Sequence, residues 1–276
     1  MLQITAKTEG AELTSIKLNG IEKLHDGKEY WNRQAPILFP IVGKLKDNKT
    51  IIEDKNYEMG QHGFARDMKF ECIKDKELLK EYKLKANEET LRKYPYQFEL
   101  TVKYQIKEDT LIVSYEVENT DNKNIFFGIG GHPAFKCDYS NGKCSIEFEK
   151  EEDEIGILEL ENGLISKAKV KEEVITDNKI ILNENSFEND AIIMQNIKSN
   201  KVYLKEEEKT LIEFDFTGFP YLAIWSKKGA PFVCIEPWYT IADHKESSGI
   251  FEEKQKIIGI NPKEKFKCKY KIKFYE

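Results

Sequence analysis

Long apolar runs are missing from this chain of 276 residues, and without one no helix can span a bilayer. Its first residues, MLQITAKTEG, lack the basic-then-apolar order of a secretory signal. A basic surplus is missing too. The 43 Lys and Arg are outnumbered by 49 Asp and Glu, for a net charge of −6, which argues for solubility and against a nucleic-acid partner. Histidine is scarce: four residues, no two spaced like the metal pair H-x-x-x-H. Cysteine is neither paired nor clustered. There are five, and Cys137 and Cys144 stand too far apart for a zinc knuckle. Reduced thiols and a cytoplasmic location are therefore expected, with no metal. Cys234 and Cys268 sit in apolar strands and read as packing residues, not as activated thiols. A phosphate cradle is absent as well, because the glycines of GIGG are followed by His-Pro rather than by the start of a helix.

What the chain does have is alternation. In QFELTVKYQI, residues Phe98, Leu100, Val102, Tyr104 and Ile106 point one way; in TLIVSYEVEN, Leu111, Val113, Tyr115 and Val117 do the same. With KEDT as the turn, this predicts a long antiparallel hairpin with one buried face. Near the C-terminus, Phe266, Cys268, Tyr270, Ile272 and Phe274 alternate with five lysines. That is a strand with one wet face, and its lysines suit a sheet edge. Shorter runs such as KVYLK, LIEFDF, YLAIWS and FVCIEPW repeat the theme, and no long amphipathic helix is evident. The charged stretch from Glu147 to Lys179 reads as solvated hairpins. The expected fold is all-β, a large antiparallel β-sandwich forming one domain over residues 1–276.

Four segments interrupt the strand pattern with polar groups that strands do not need. GGHPAF holds His132 between two glycines, expected to allow unusual backbone angles, and Pro133. A histidine so restrained suits a general acid or base, or simply a turn that bonds backbone. GQHGFARD brings His62 and Arg66 together, either to grip a hydroxyl-rich or anionic ligand or to leave Arg66 paired with Asp67 or Glu71. FVCIEPWYTIADH places Glu236 at the end of a buried strand beside Trp238 and Tyr239. Here a carboxylate and a ring that can stack on a sugar compete with a structural ion pair and core aromatics. SFENDAIIM sets Asp190 before an apolar run, as a hydroxyl acceptor or a turn cap.

Taken together and in order, LFPIVGKL, QHGFAR, GIGGHPAF, FENDAII and CIEPWYTIAD resemble the aldose 1-epimerase (galactose mutarotase) family, nearest its LacX-like bacterial branch. The resemblance spans most of the chain and implies the supersandwich form of the β-sandwich. It implies Glu236 as general base and His132 as general acid. His62 would bond the substrate or help orient its ring, and Asp190 would bind sugar hydroxyls; Arg66 and Trp238, nominated above from their own segments, are further candidate contacts. Lys44 falls where the family usually carries arginine, and it lacks that residue's planar fork. The implied reaction opens and recloses a cyclic hemiacetal, exchanging the α and β anomers of an aldohexose without cofactor or metal. The unperturbed carboxyl and imidazole values of about 4.3 and 6.5 then predict activity near neutral pH, limited on the acid side by Glu236. A hexose 6-phosphate epimerase and a non-catalytic sugar binder or sensor are the alternatives, and the protein is expected to be a monomer or homodimer.

Overall fold

The period-two patterning becomes two large antiparallel sheets packed face to face, in a computed structural model that describes residues 1–153, 155–170 and 174–276. The larger sheet has nine strands. In spatial order they are Lys179–Ile181, Cys144–Phe148, Lys201–Glu206, Lys209–Asp215, Lys265–Phe274, Thr110–Asn119, Phe98–Lys107, Leu79–Lys85 and Glu71–Lys76. The predicted hairpin is present, with Val113 opposite Tyr104 in register. Its inward residues, from Phe98 to Ile106 and from Leu111 to Val117, are all buried. Full burial of each such side chain contributes about 1.5–3 kcal/mol.

The lysine-rich strand Lys265–Phe274 is not at an edge. It lies near the middle of the larger sheet, paired with Thr110–Asn119 on one side and Lys209–Asp215 on the other. Its lysines instead pair with acids on those neighbouring strands: Lys265 and Lys267 with Glu116, and Lys271 with Asp215. Cross-strand charge pairing lets a central strand keep one wet face.

The smaller sheet runs Leu164–Val170, Gly156–Glu161, Ile192–Gln195, Tyr221–Trp225, Phe232–Trp238, Gly130–Gly131 and Ile37–Leu38, with Ala134–Lys136 also joined to Phe232–Trp238. Alternation along Phe232–Trp238 sorts its residues to two faces. Val233 and Ile235 enter the core between the sheets, whereas Phe232, Cys234 and Trp238 belong to separate clusters on the other face. The stretch from Glu147 to Lys179 does contain a hairpin, but Leu158 and Ile165 on it are buried, so it is not simply solvated. Residues 154 and 171–173 of that stretch lie outside the described residues.

Candidate active site

Glu236 sits on the second face of Phe232–Trp238, in register with Ala223. His132 stands between the short strands Gly130–Gly131 and Ala134–Lys136, the second of which pairs with the strand carrying Glu236. Their side chains meet: His132 Nε2 lies 3.1 Å from Glu236 Oε2. Both residues are buried, at 7% and 1% exposure.

The glycines before His132 serve a different purpose from the one their sequence suggests. Neither Gly130 nor Gly131 adopts a left-handed backbone. A Cβ on Gly131 would instead lie 2.7 Å from the Tyr270 hydroxyl and 3.0 Å from that of Tyr115. The glycine is required because the backbone runs against side chains of the opposite sheet, and that close approach fixes the height of His132 above the core.

The pair forms part of the wall of a cavity of about 260 Å³. His62, Arg66, Asp190 and Trp238 also line it, so six of the seven residues nominated from sequence come together. The seventh, Lys44, does not line it; its Nζ donates to the Asn162 carbonyl at 3.2 Å. Arg66 donates from its guanidinium to the Gln61 carbonyl at 2.7 Å, and its Nε is 3.8 Å from Asp67. Asp67 bonds more closely to Arg33, at 2.6 Å. Asp190 accepts from the Ala191 amide at 2.8 Å while it faces the cavity, so capping and lining coexist.

Two of these residues have a left-handed backbone, His62 with φ 66° and Asp190 with φ 74°. Such conformations cost free energy in residues other than glycine and gather at functional sites. His62 is held by a pair of bonds to one residue. Its amide donates to the Gly43 carbonyl at 2.8 Å, and the Gly43 amide donates to His62 Nδ1 at 3.1 Å.

Sequence reasoning missed Trp31 and Trp225. All three tryptophans of the chain line this one cavity. The His132 ring lies 4.9 Å from Trp31, 5.7 Å from Trp225 and 5.6 Å from His62, centroid to centroid. An apolar aromatic wall beside a few polar groups is what a sugar ring needs, since its C–H face stacks and its rim hydrogen-bonds.

The aromatic enclosure reverses the protonation order expected from free side chains. Burial, aided by Arg66 and Arg33, lowers the His132 imidazole to about 3. Burial raises Glu236 well above the usual carboxylate range, with Asp190 adding to the rise and the Trp238 indole N–H opposing it. His62 is also lowered well below its ordinary value, by burial first and then by His132, Arg66 and Arg33. The resting pair is thus a neutral imidazole facing a protonated carboxyl. The pair holds one proton, and it rests on Glu236.

Five buried side-chain polar atoms lack a hydrogen-bond partner in the protein among the described residues. Four belong to residues that line this cavity: Arg66 Nε, His132 Nδ1, Glu236 Oε2 and Trp238 Nε1. Unpaired buried polar groups are costly, so their concentration here marks a place prepared for a polar ligand. A larger groove of about 550 Å³ on the outer face of the nine-stranded sheet has a different character. Its Lys83 and Lys267 are already paired with Glu99 and Glu116.

The chain has relatives among known proteins in both sequence and fold. The family model described as aldose 1-epimerase matches residues 1–259. The chain is 32% identical to the chromosomal protein LacX of Lactococcus lactis subsp. lactis over 286 residues, covering 98% of this chain and 96% of that one. A galactose mutarotase related enzyme from Lactobacillus acidophilus superposes with a TM-score of 0.94 at 29% identity, covering 100% of this chain and 95% of that one. A galactose mutarotase-like protein from Lactobacillus casei gives 0.91 at 27% identity, covering 99% and 97%.

Proposed function

Because this chain belongs to the aldose 1-epimerase family, we propose that it interconverts the α and β anomers of a free aldohexose, with Glu236 and His132 as the reacting pair. The observation that carries the proposal is their 3.1 Å contact in the wall of an aromatic cavity. The two oxygens that exchange protons during ring opening are both bonded to C1. An acid and a base that serve them must therefore be neighbours.

The pair's single proton suffices for the whole cycle. In the productive arrangement it resides on His132, leaving Glu236 ionised. Glu236 removes the proton from the C1 hydroxyl as His132 gives its proton to the ring oxygen. The C1–O5 bond breaks and an open-chain aldehyde forms. The C1–C2 bond rotates, and the two transfers reverse on the other face of the carbonyl. The pair ends as it began, and no electrons are gained or lost. Each positioned transfer typically contributes about 10²- to 10⁴-fold.

A cavity of about 260 Å³ is smaller than the roughly 300–1,000 Å³ of sites for drug-sized ligands, which supports one sugar ring as the occupant. Trp31 and Trp238 would flank it, and His62, Arg66 and Asp190 would bond its hydroxyls. One observation favours a second reading, a hexose 6-phosphate epimerase: Arg66 faces the cavity with a buried Nε that lacks a partner, and a phosphate would fill that vacancy in its bonding.

Polarimetry on fresh α-glucose, α-galactose and α-glucose 6-phosphate tests both readings. Faster mutarotation of a free hexose, lost in Glu236→Gln, supports the first. Acceleration confined to the phosphate ester selects the second. Saturable sugar binding without acceleration would reduce the protein to a binder.

A further inference from the structure

Cys234 stands two residues before Glu236 on the same strand, so alternation puts both side chains on the face that carries the cavity. His132 approaches that face from the adjoining segment. One sulfur, one imidazole nitrogen and one carboxylate oxygen from these residues all lie within 4.8 Å of one another. All three residues are buried, and Cys234 is fully so.

These are three of the donor types that tetrahedral, thiophilic ions accept. The 3.1 Å between His132 Nε2 and Glu236 Oε2 is already close to the roughly 3.3–3.5 Å between two ligands of one tetrahedral ion with bonds of about 2.0–2.2 Å. Beyond its contact with His132 Nε2, Glu236 Oε2 has no hydrogen-bond partner that coordination would sacrifice. Charge balances as well. A thiolate, a carboxylate and a neutral imidazole sum to −2 and cancel a divalent cation, leaving a neutral complex in a buried place. The fourth coordination position falls to water, or to a hydroxyl, on the cavity side.

We propose that His132, Cys234 and Glu236 form a binding site for a thiophilic divalent cation of the zinc type. An ion bound there occupies both members of the acid–base pair, and so silences any chemistry that needs them. That consequence rests on the mutarotase reading; the site itself does not. Binding displaces the Cys234 thiol proton and the carboxyl proton of Glu236, which pass to solvent. Affinity therefore falls as pH falls.

Cobalt is the probe, because a cobalt–thiolate bond has a charge-transfer absorption that oxygen and nitrogen ligands alone do not give. The metal-free protein is titrated with Co²⁺, and Zn²⁺ is then added as a competitor. One equivalent of Co²⁺ should produce the thiolate band, Zn²⁺ should bleach it, and Cys72→Ala, which removes the exposed cysteine, should keep it. Cys234→Ala should abolish the band, and Glu236→Gln should weaken binding by at least about 10- to 100-fold, the range seen when merely supporting groups of a metal site are lost. If Cys234→Ala does not fold, the Glu236→Gln titration decides. Absence of a thiolate band, its survival in Cys234→Ala, or unaltered affinity in Glu236→Gln would overturn the proposal. None of these readings requires turnover, so the metal site can fail while mutarotation stands, or the reverse.

Discussion

The backbone amide of Gly43 donates to Nδ1 of His62 across 3.1 Å, and this bond decides where the histidine keeps its proton. A backbone N–H can only donate, so Nδ1 must present its lone pair. Neutral His62 therefore carries hydrogen on Nε2, on the side of Gln61, whose side-chain amide stands 3.3 Å away. The Gln61 atom that faces it is the side-chain nitrogen, and two donors make no hydrogen bond, so the Nε2 hydrogen stays available to a ligand. His62 enters the cavity as a donor of fixed tautomer.

Substitutions that imitate one ring nitrogen at a time should separate these roles. His62→Gln reaches the position of Nε2, whereas His62→Asn reaches only that of Nδ1. We expect His62→Gln to retain about tenfold more kcat/KM than His62→Asn, the worth of one hydrogen bond of about 1.4 kcal/mol. Equal losses in mutarotation assays would remove the donor role.

Arg66 and Lys44 should differ sharply although both are basic. Arg66 lines the cavity, while Lys44 spends its amine on the Asn162 carbonyl. Arg66→Ala should raise KM by more than about tenfold, as loss of a charge-assisted bond implies. Lys44→Ala should change it by less than about threefold. Initial-rate kinetics over a range of sugar concentrations would distinguish them.

Intrinsic fluorescence should report sugar binding without a label. Every tryptophan lines the cavity, so no distant indole dilutes the signal. Addition of a bound hexose to Glu236→Gln should shift or quench the emission saturably. A spectrum that stays constant while calorimetry detects binding would contradict stacking at this site.

The pH dependence of stability has a sign that variants can isolate. His132 is lowered to about 3 and His62 is lowered too. Each contributes stability that is full above its unfolded value of about 6.5 and is lost as pH falls toward its folded value. Glu236 is raised, so its contribution is full below about 4.3 and is lost as pH rises through its folded value. From about pH 6.5 to 4.3, each histidine removes up to about 1.4 kcal/mol per pH unit on acidification, and Glu236 returns a similar amount. His132→Asn should flatten the fall in denaturation midpoint across this window, and Glu236→Gln should steepen it. Activity should follow the same pair. Its acid limit belongs to His132, near pH 3, and not to Glu236 as the unperturbed values suggest. Its alkaline limit is loss of the pair's one proton from Glu236.

The sandwich was legible wherever side chains alternate cleanly, as from Phe98 to Val117 and from Phe266 to Phe274, because one residue in two must face the core. The position of a strand within its sheet was not legible. Lysines suit a paired wet face as well as an edge, and only the acids across from them decide which. The convergence of His132 and Glu236 was visible through the ordered motifs around them. Trp31 and Trp225 were not: Trp31 stands in an irregular loop with no periodicity to read, and Trp225 ends an ordinary apolar strand that pairs with Phe232–Trp238. Cys234 is an intermediate case. Its two-residue spacing from Glu236 placed it on the same strand face, yet its apolar neighbours gave no hint of a nearby histidine.

The strand Lys265–Phe274 joins Thr110–Asn119 to Lys209–Asp215, and it is synthesised after both of them. While the ribosome works, the larger sheet can exist only as two fragments, each with an open edge where this strand will later sit. Unpaired edges of that kind invite pairing with other chains. Completion also requires contacts between residues far apart in sequence, which form slowly. The nascent protein therefore passes through a vulnerable interval that ends only when its lysine-rich strand arrives, and that interval is when a holding chaperone would matter most.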